Sequence, residues 1–373
     1  MSRIAFYAPL KPPHHPVPSG DREMARMLMR ALQTSGFEVE LAASLRSYEG
    51  RGDAIRQQRL RQLGERLSQR LIRRYQRAPL TRRPALWLTY HLYHKAPDHI
   101  GPAVAEALGI PYVVVEASVA TKQQHGRWHA GYQASIIALQ RAALAICLNP
   151  VDRRGLTEAV PTLPQADLPP FIDLAPFESP GQTRRQLAKR FNLDSNRRWL
   201  LCVAMMRPGD KLASYRLLAD CCHQLAGDDW QLLVVGDGDA ASEVRSAFAN
   251  HPAVRLLGQQ PTPTIAALGQ QAELLLWPAV NEAFGIALLE AQASGCAVIA
   301  GREGGVAAVV ADGQTGVLTE PRSSTALART TRELLDRPQR LAELRRCAAE
   351  HVRQCHSLEA ASQRLRTLLQ PLL

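Results

Sequence analysis

Short apolar runs recur along the chain, and most end in a loop carrying glycine, proline or charge. In the first half they are Ile4–Ala8, Phe37–Leu41, Ala85–Tyr90, Tyr112–Val115 and Ala143–Leu148. In the second half they are Trp199–Ala204, Gln231–Val235, Val254–Leu257, Leu274–Trp277 and Cys296–Ala300. Each run is too short for a helix and reads as a strand buried on both faces. Helical spacing intervenes, as at Met24, Met27, Leu28 and Leu32, so strand and helix alternate. Prolines 161, 164, 169, 170 and 176 stiffen the middle of the chain. The pattern predicts an α/β fold of two doubly wound Rossmann-like domains, 1–165 and 166–354.

The richest stretch is Asn281–Gly295. Glu282 falls in the loop after the run Leu274–Trp277, at a strand's carboxyl end, where open α/β sheets hold ligands. Glu290 lies eight positions on, two helical turns away, which lets both carboxylates line one face. Phe284 and Gly285 stand where the helix begins and leave its amides open to an anion, and Gly301, Gly304 and Gly305 follow the next strand in the same way. This stretch resembles the carboxyl-terminal signature of retaining glycosyltransferases of the two-Rossmann-domain (GT-B) type, family four or glycosyl transferases group 1. The resemblance implies two domains facing a central cleft, the first for the acceptor and the second for a nucleotide-sugar donor. It also implies a final helix, about 355–373, that returns to the first domain, and a metal-independent transfer of a hexose-like sugar to a hydroxyl. It puts Glu282 on the transferred sugar and Glu290 on the ribose.

Other loops take their expected roles from the same source. Arg207 and Lys211 follow the first strand of the second half with Gly209 between them, cations suited to a diphosphate. The resemblance makes them the phosphate-holding pair, with Glu282 the catalytic set. Gly20, at the close of a proline-rich loop and the opening of the first helix, and Gly236, in the turn Gly236-Asp237-Gly238, join Phe284, Gly285 and Glu290 as donor-binding residues. Asp237 and Asp239 are spaced like the metal-binding pair of single-domain glycosyltransferases, a reading set aside in favour of the strand-to-helix turn of the two-domain family. His91, Glu116 and Lys122, in loops after strands of the first half, are the expected acceptor-side residues. The family often carries a histidine where this chain has Glu116-Ala117. Neither His14-His15 nor the set His91, His94 and His99 has the spacing of a zinc framework, and no metal or other cofactor is expected.

Charge adds a partner. The 373 residues carry a formal charge of +11, with hydrophobic content of 46% and charged content of 21%, ordinary for a globular protein apart from its basicity. The segment 51–83 concentrates eleven arginines against Asp53 and Glu65, with Leu60, Leu63, Leu67 and Leu71 at helical spacing. That amphipathic basic helix suits the surface of an anionic membrane. Tyr75 is its one aromatic residue and no nucleic-acid module is recognisable, so no nucleic-acid partner is expected. No leader or spanning segment is legible and the seven cysteines form no C-x-x-C pair, so the expected location is the cytoplasm, with peripheral membrane association on that face. The expected partners are the nucleotide-sugar and a sugar, lipid-linked or other hydroxyl acceptor. A sugar-nucleotide epimerase and a non-catalytic nucleotide-sugar-binding protein are the alternatives.

Overall fold

The apolar runs become parallel strands because helices cover both faces of each sheet and leave no strand face for water. The computed structural model describes residues 2–17, 19–179, 181–225, 227 and 229–373; Pro18 of the entrance loop lies outside them. Two units divide the chain: Met1–Pro169 with Leu358–Leu373, and Pro170–Ser357.

Unit 1 holds β1 (Arg3–Tyr7), β2 (Glu38–Ala43), β3 (Leu86–Leu92), β4 (Tyr112–Ala117), β5 (Leu144–Cys147) and β6 (Gln165–Asp167), in the order β2-β1-β3-β4-β5-β6. All the pairings are parallel. The order reverses between β1 and β3, so the crevice at their carboxyl ends is this unit's switch point. The helix Gly20–Thr34 follows β1, with Ser19 accepting from the Arg22 amide as its cap, and buries Met24, Leu28 and Leu32. The helix Leu358–Leu369 packs against it, and Ser35 Oγ donates to the Ser362 carbonyl at 2.7 Å. Below the switch point, buried Asp98 accepts from Thr89 Oγ1 at 2.6 Å, from Tyr112 Oη at 3.0 Å, and from the Ile100 and Gly101 amides at 2.8 Å each. Four donors offset the burial of one carboxyl and tie β3 and β4 to the next helix.

The basic segment is a helix, Ala54–Arg77, whose amino end Asp53 caps by accepting from the Ile55 and Arg56 amides. Its buried face is Gln57, Gly64, Ser68, Leu71 and Tyr75, so of the leucine stripe Leu71 is buried, Leu60 and Leu67 are half-buried and Leu63 is exposed. Gly64 lets the helix approach His99 closely: a Cβ there would stand 2.4 Å from His99 Cβ. Leu63 is 46% exposed and Ile55 64% exposed, on a surface shared with Arg59, Arg66, Arg70 and Arg73.

Unit 2 holds β7 (Arg198–Val203), β8 (Trp230–Val235), β9 (Val254–Gly258), β10 (Leu274–Trp277), β11 (Ala297–Gly301) and β12 (Gly316–Thr319), in the order β12-β11-β10-β7-β8-β9, all parallel. Counted from β7, this is the 3-2-1-4-5-6 order of a Rossmann sheet, and its switch point lies between β7 and β10. Trp199, Leu200, Leu232, Leu274 and Ile299 are fully buried in its core. Five of the seven free cysteines are buried, and burial pushes those five thiols up, which makes them unreactive packing groups.

Candidate functional site

The two strands that flank the switch point of unit 2 each send out a loop with an ionisable residue, and the two meet. Lys211, in the first turn of the helix Asp210–Gln224 after β7, forms an ion pair with Glu282 Oε2, which follows β10. Trp277, the last residue of β10, donates its indole N–H to the same oxygen at 2.9 Å. The ammonium also sits 5.2 Å over the Trp277 ring, and the Tyr215 ring meets Trp277 edge-on at 5.4 Å. Lys211 is thus fixed by a carboxylate and a π face together. Both side chains keep an opening to solvent, 29% of Lys211 and 12% of Glu282.

The Glu282 loop is held from several sides. Ala279 and Asn281 adopt left-handed φ values of 59° and 48°, a conformation that non-glycine residues rarely keep without support. Ser214 Oγ accepts from the Val280 amide at 3.0 Å, Asn281 Nδ2 donates to Asp210 Oδ2 at 3.0 Å, and the Gly305 amide donates to the Glu282 carbonyl at 3.0 Å. Gly304, at φ 61°, sits so close that a Cβ would stand 1.9 Å from the Glu282 carbonyl oxygen. Glu282 precedes the helix Ile286–Ala293, so it does not share a helix face with Glu290. Gly285, at φ 74°, caps that helix without a side-chain bond, and Phe284 packs against the core. Glu290, in the second turn, is half-buried, and burial pushes its carboxyl up to about 7.

Gly209 caps the helix Asp210–Gln224, again without a side-chain bond. A bare glycine there leaves the positive end of the helix dipole without a capping side chain, an end suited to anions, although the Arg207 carbonyl takes the Leu212 amide at 3.1 Å. Arg207 is exposed beside it. Gly236 and Gly238 let the β8 turn lie against this loop: added Cβ atoms would stand 1.9 Å from the Ala204 carbonyl oxygen and 2.4 Å from that of Met206. Asp237 Oδ1 accepts from the Gly238 amide at 2.8 Å. Among the described residues no three His, Cys, Asp or Glu side chains are gathered for a metal.

At the switch point of unit 1, Gly20 opens the first helix with nothing within 4 Å of where a Cβ would stand. Next to it, Asp21 Oδ1 lies 3.3 Å from His91 Nδ1, a charge contact without the alignment of a hydrogen bond. Burial works to raise the Asp21 carboxyl, but His91, a backbone amide and Lys11 together outweigh it and the net shift is downward. His91 and Glu116 end adjacent strands at φ 65° and 59°. Burial, opposed by His91 and reinforced by Asp152, pushes the Glu116 carboxyl up to about 7. Lys122 is exposed, and its charge acts on His94 rather than on this cluster. Sequence reasoning missed Asp21 and Asp152 here, and Trp277 and Tyr215 in unit 2. Trp277 was visible only as the apolar end of a strand.

Residues 197–337 match the family model of glycosyl transferases group 1. A D-inositol 3-phosphate glycosyltransferase of Corynebacterium glutamicum is 30% identical over 182 residues, 48% of this chain and 37% of that protein. D-inositol 3-phosphate glycosyltransferase 2 of Catenulispora acidiphila is 30% identical over 206 residues, 54% of this chain and 43% of that protein. The matches therefore span less than half the length of these curated relatives. Among solved structures, Anabaena HepE in complex with UDP has a TM-score of 0.76 at 17% identity, covering 100% of both chains. Sucrose-phosphate synthase from Thermosynechococcus elongatus has a TM-score of 0.75 at 19% identity, covering 100% of this chain and 99% of that one. These likenesses show the GT-B fold of two Rossmann-like units. Residues 197–337 of its second unit are similar to the glycosyl transferases group 1.

Proposed function

We propose that the protein is a retaining glycosyltransferase of family four that moves a sugar from a nucleotide-diphosphate donor to an acceptor hydroxyl, in glycan or glycoconjugate synthesis. The observation that carries this reading is the Lys211–Glu282 pair at the switch point of unit 2, beside a helix end open to anions. When the donor's glycosidic bond breaks, negative charge grows on the departing diphosphate. Lys211, Arg207 and the first-turn amides of the helix Asp210–Gln224 stabilise it there, so no metal is required. Glu282 accepts from sugar hydroxyls and orients the ring, and Glu290, once ionised, accepts from the ribose hydroxyls. Gly236 keeps the β8 turn out of the way, while Phe284 and Gly285 shape the approach to the helix Ile286–Ala293.

Unit 1 is the acceptor domain in this reading. His91 and Glu116 are its acceptor-side residues, with Lys122 further out, and Gly20 gives the first helix's amides an unobstructed approach to phosphate. The name of the relatives, D-inositol 3-phosphate glycosyltransferase, suggests a polyol acceptor. Incubation with UDP-, GDP- and ADP-sugars and candidate acceptors, followed by product analysis, tests the function. A new glycoside with the donor's anomeric configuration is expected. An epimerised donor supports the epimerase reading, and binding without product supports a non-catalytic protein.

Among the described residues no helix is long and apolar enough to cross a membrane. We place the protein in the cytoplasm and its helix Ala54–Arg77 on the anionic face of a membrane. Exposed Arg59, Arg66, Arg70 and Arg73 show no acidic partner among the described residues, and Leu63 and Ile55 offer apolar contact. Co-sedimentation with phosphatidylserine vesicles should be strong at low salt and fall steeply above about 0.3 M, as the Debye length shrinks. Equal recovery with neutral vesicles would sink this placement.

A further inference from the structure

Unit 2 has a second concave surface at the other end of its sheet. The amino ends of β7, β8 and β9 border a groove of about 880 Å³, lined in part by Asp194, Arg197, His223, Trp230, His251 and Arg255. Because the strands are parallel, this end is the one away from Lys211 and Glu282. The volume lies within the range of small-molecule sites.

Two polar atoms in its wall lack what buried polar atoms normally have. Trp230 is 3% exposed, and among the described residues neither its indole N–H nor the buried His251 Nε2 has a hydrogen-bond partner. Native structures leave few such groups, and a bound water, ion or ligand is one way they are satisfied. The surroundings indicate which. Arg255 donates to the carbonyls of Pro252 and Val254 and has no carboxylate partner among the described residues. The His223 and His251 rings pack at 3.7 Å between centroids, and burial, with His223, pushes the His251 imidazole down, so the pair offers neutral N–H donors. Donors thus outnumber acceptors, which suits an anion with several oxygens. Asp194, 3.4 Å from Arg197 and 45% exposed, is the acceptor left for hydroxyl groups.

We propose that this groove is a second binding site, for a small phosphate monoester carrying hydroxyls, such as a sugar phosphate. The phosphate meets Arg255, the histidine pair and the Trp230 N–H, and the hydroxyls reach Asp194. The site does not depend on the function proposed for the switch point.

Calorimetric titration of the full chain with glucose 6-phosphate, inorganic phosphate and glucose tests it. Glucose 6-phosphate should bind, phosphate about tenfold more weakly, and glucose not at all. Arg255→Gln, on the sheet's edge strand, should weaken glucose 6-phosphate about tenfold, as loss of one charge-assisted contact does. Trp230→Phe, which keeps an aromatic side chain and removes the donor, should weaken it severalfold. Lys211→Ala should leave it unchanged. No binding by the phosphate ester, unaltered binding in Arg255→Gln, or loss in Lys211→Ala would each overturn the proposal; the last would move the phosphate to the open end of the helix Asp210–Gln224.

Discussion

Lys211→Ala is expected to lower kcat for sugar transfer by roughly 10²–10³-fold while leaving the fold intact. That magnitude is typical when one preorganised charge or donor is removed from a transition state whose new charge it faces. Lys211 is well placed for such a role, because Glu282 and the Trp277 ring already hold its ammonium and little reorganisation remains at the moment of reaction. The substitution leaves Glu282 its Trp277 N–H at 2.9 Å, so the carboxylate is not orphaned and the loop should persist. Arg207→Ala should cost less, since the Arg207 side chain is exposed and its field is screened by water. Single-turnover rates with a saturating donor, beside urea unfolding of each variant, separate chemistry from stability. Transfer within threefold of wild type in Lys211→Ala would reduce the ion pair to a structural strut.

Gly304→Ala should be among the most damaging single methyls in unit 2. The new Cβ would stand 1.9 Å from the Glu282 carbonyl oxygen, at a backbone φ of 61°. The left-handed conformation alone costs an alanine about 1 kcal/mol. The overlap adds more, because the atom it strikes is backbone and cannot rotate aside. A total loss of roughly 3 kcal/mol or more is expected from combined strain and overpacking. Gly295→Ala is the matched control: its φ is 75°, and nothing lies within 4 Å of the new methyl, so the left-handed cost should stand alone. Urea denaturation of both variants reads the difference directly. A similar loss in both would mean that the loop yields freely, and that Glu282 is not held as firmly as its neighbours suggest.

Periodicity located nearly every strand because each is a buried apolar run with a polar exit. It could not order them, since pairing depends on contacts far apart in sequence. The Lys211–Glu282 pair spans 71 positions and appears only once β7 and β10 lie side by side. Candidate residues were legible one at a time, from residue type and from their places at strand ends. Their supports were not: Trp277 counted as apolar, and its N–H carries no signal in a hydrophobicity pattern. The basic helix shows the converse error. Leu63 matched the stripe and faces solvent, while Gly64 and Ser68, which carry no apolar signal, are buried because small residues permit close packing. The left-handed backbones of His91, Glu116, Ala279 and Asn281 were illegible for a simpler reason, that none is glycine.

The helix Leu358–Leu369 belongs to unit 1, yet all of unit 2 separates it in sequence from the rest of that unit. On a ribosome, β1 to β6 emerge first and must wait through the synthesis of another 188 residues, Pro170–Ser357, before the helix that covers Gly20–Thr34 appears. Unit 2 is contiguous and has no such wait. The nascent chain therefore completes its later unit first, and until then the apolar flank of the first helix is where a chaperone has reason to bind.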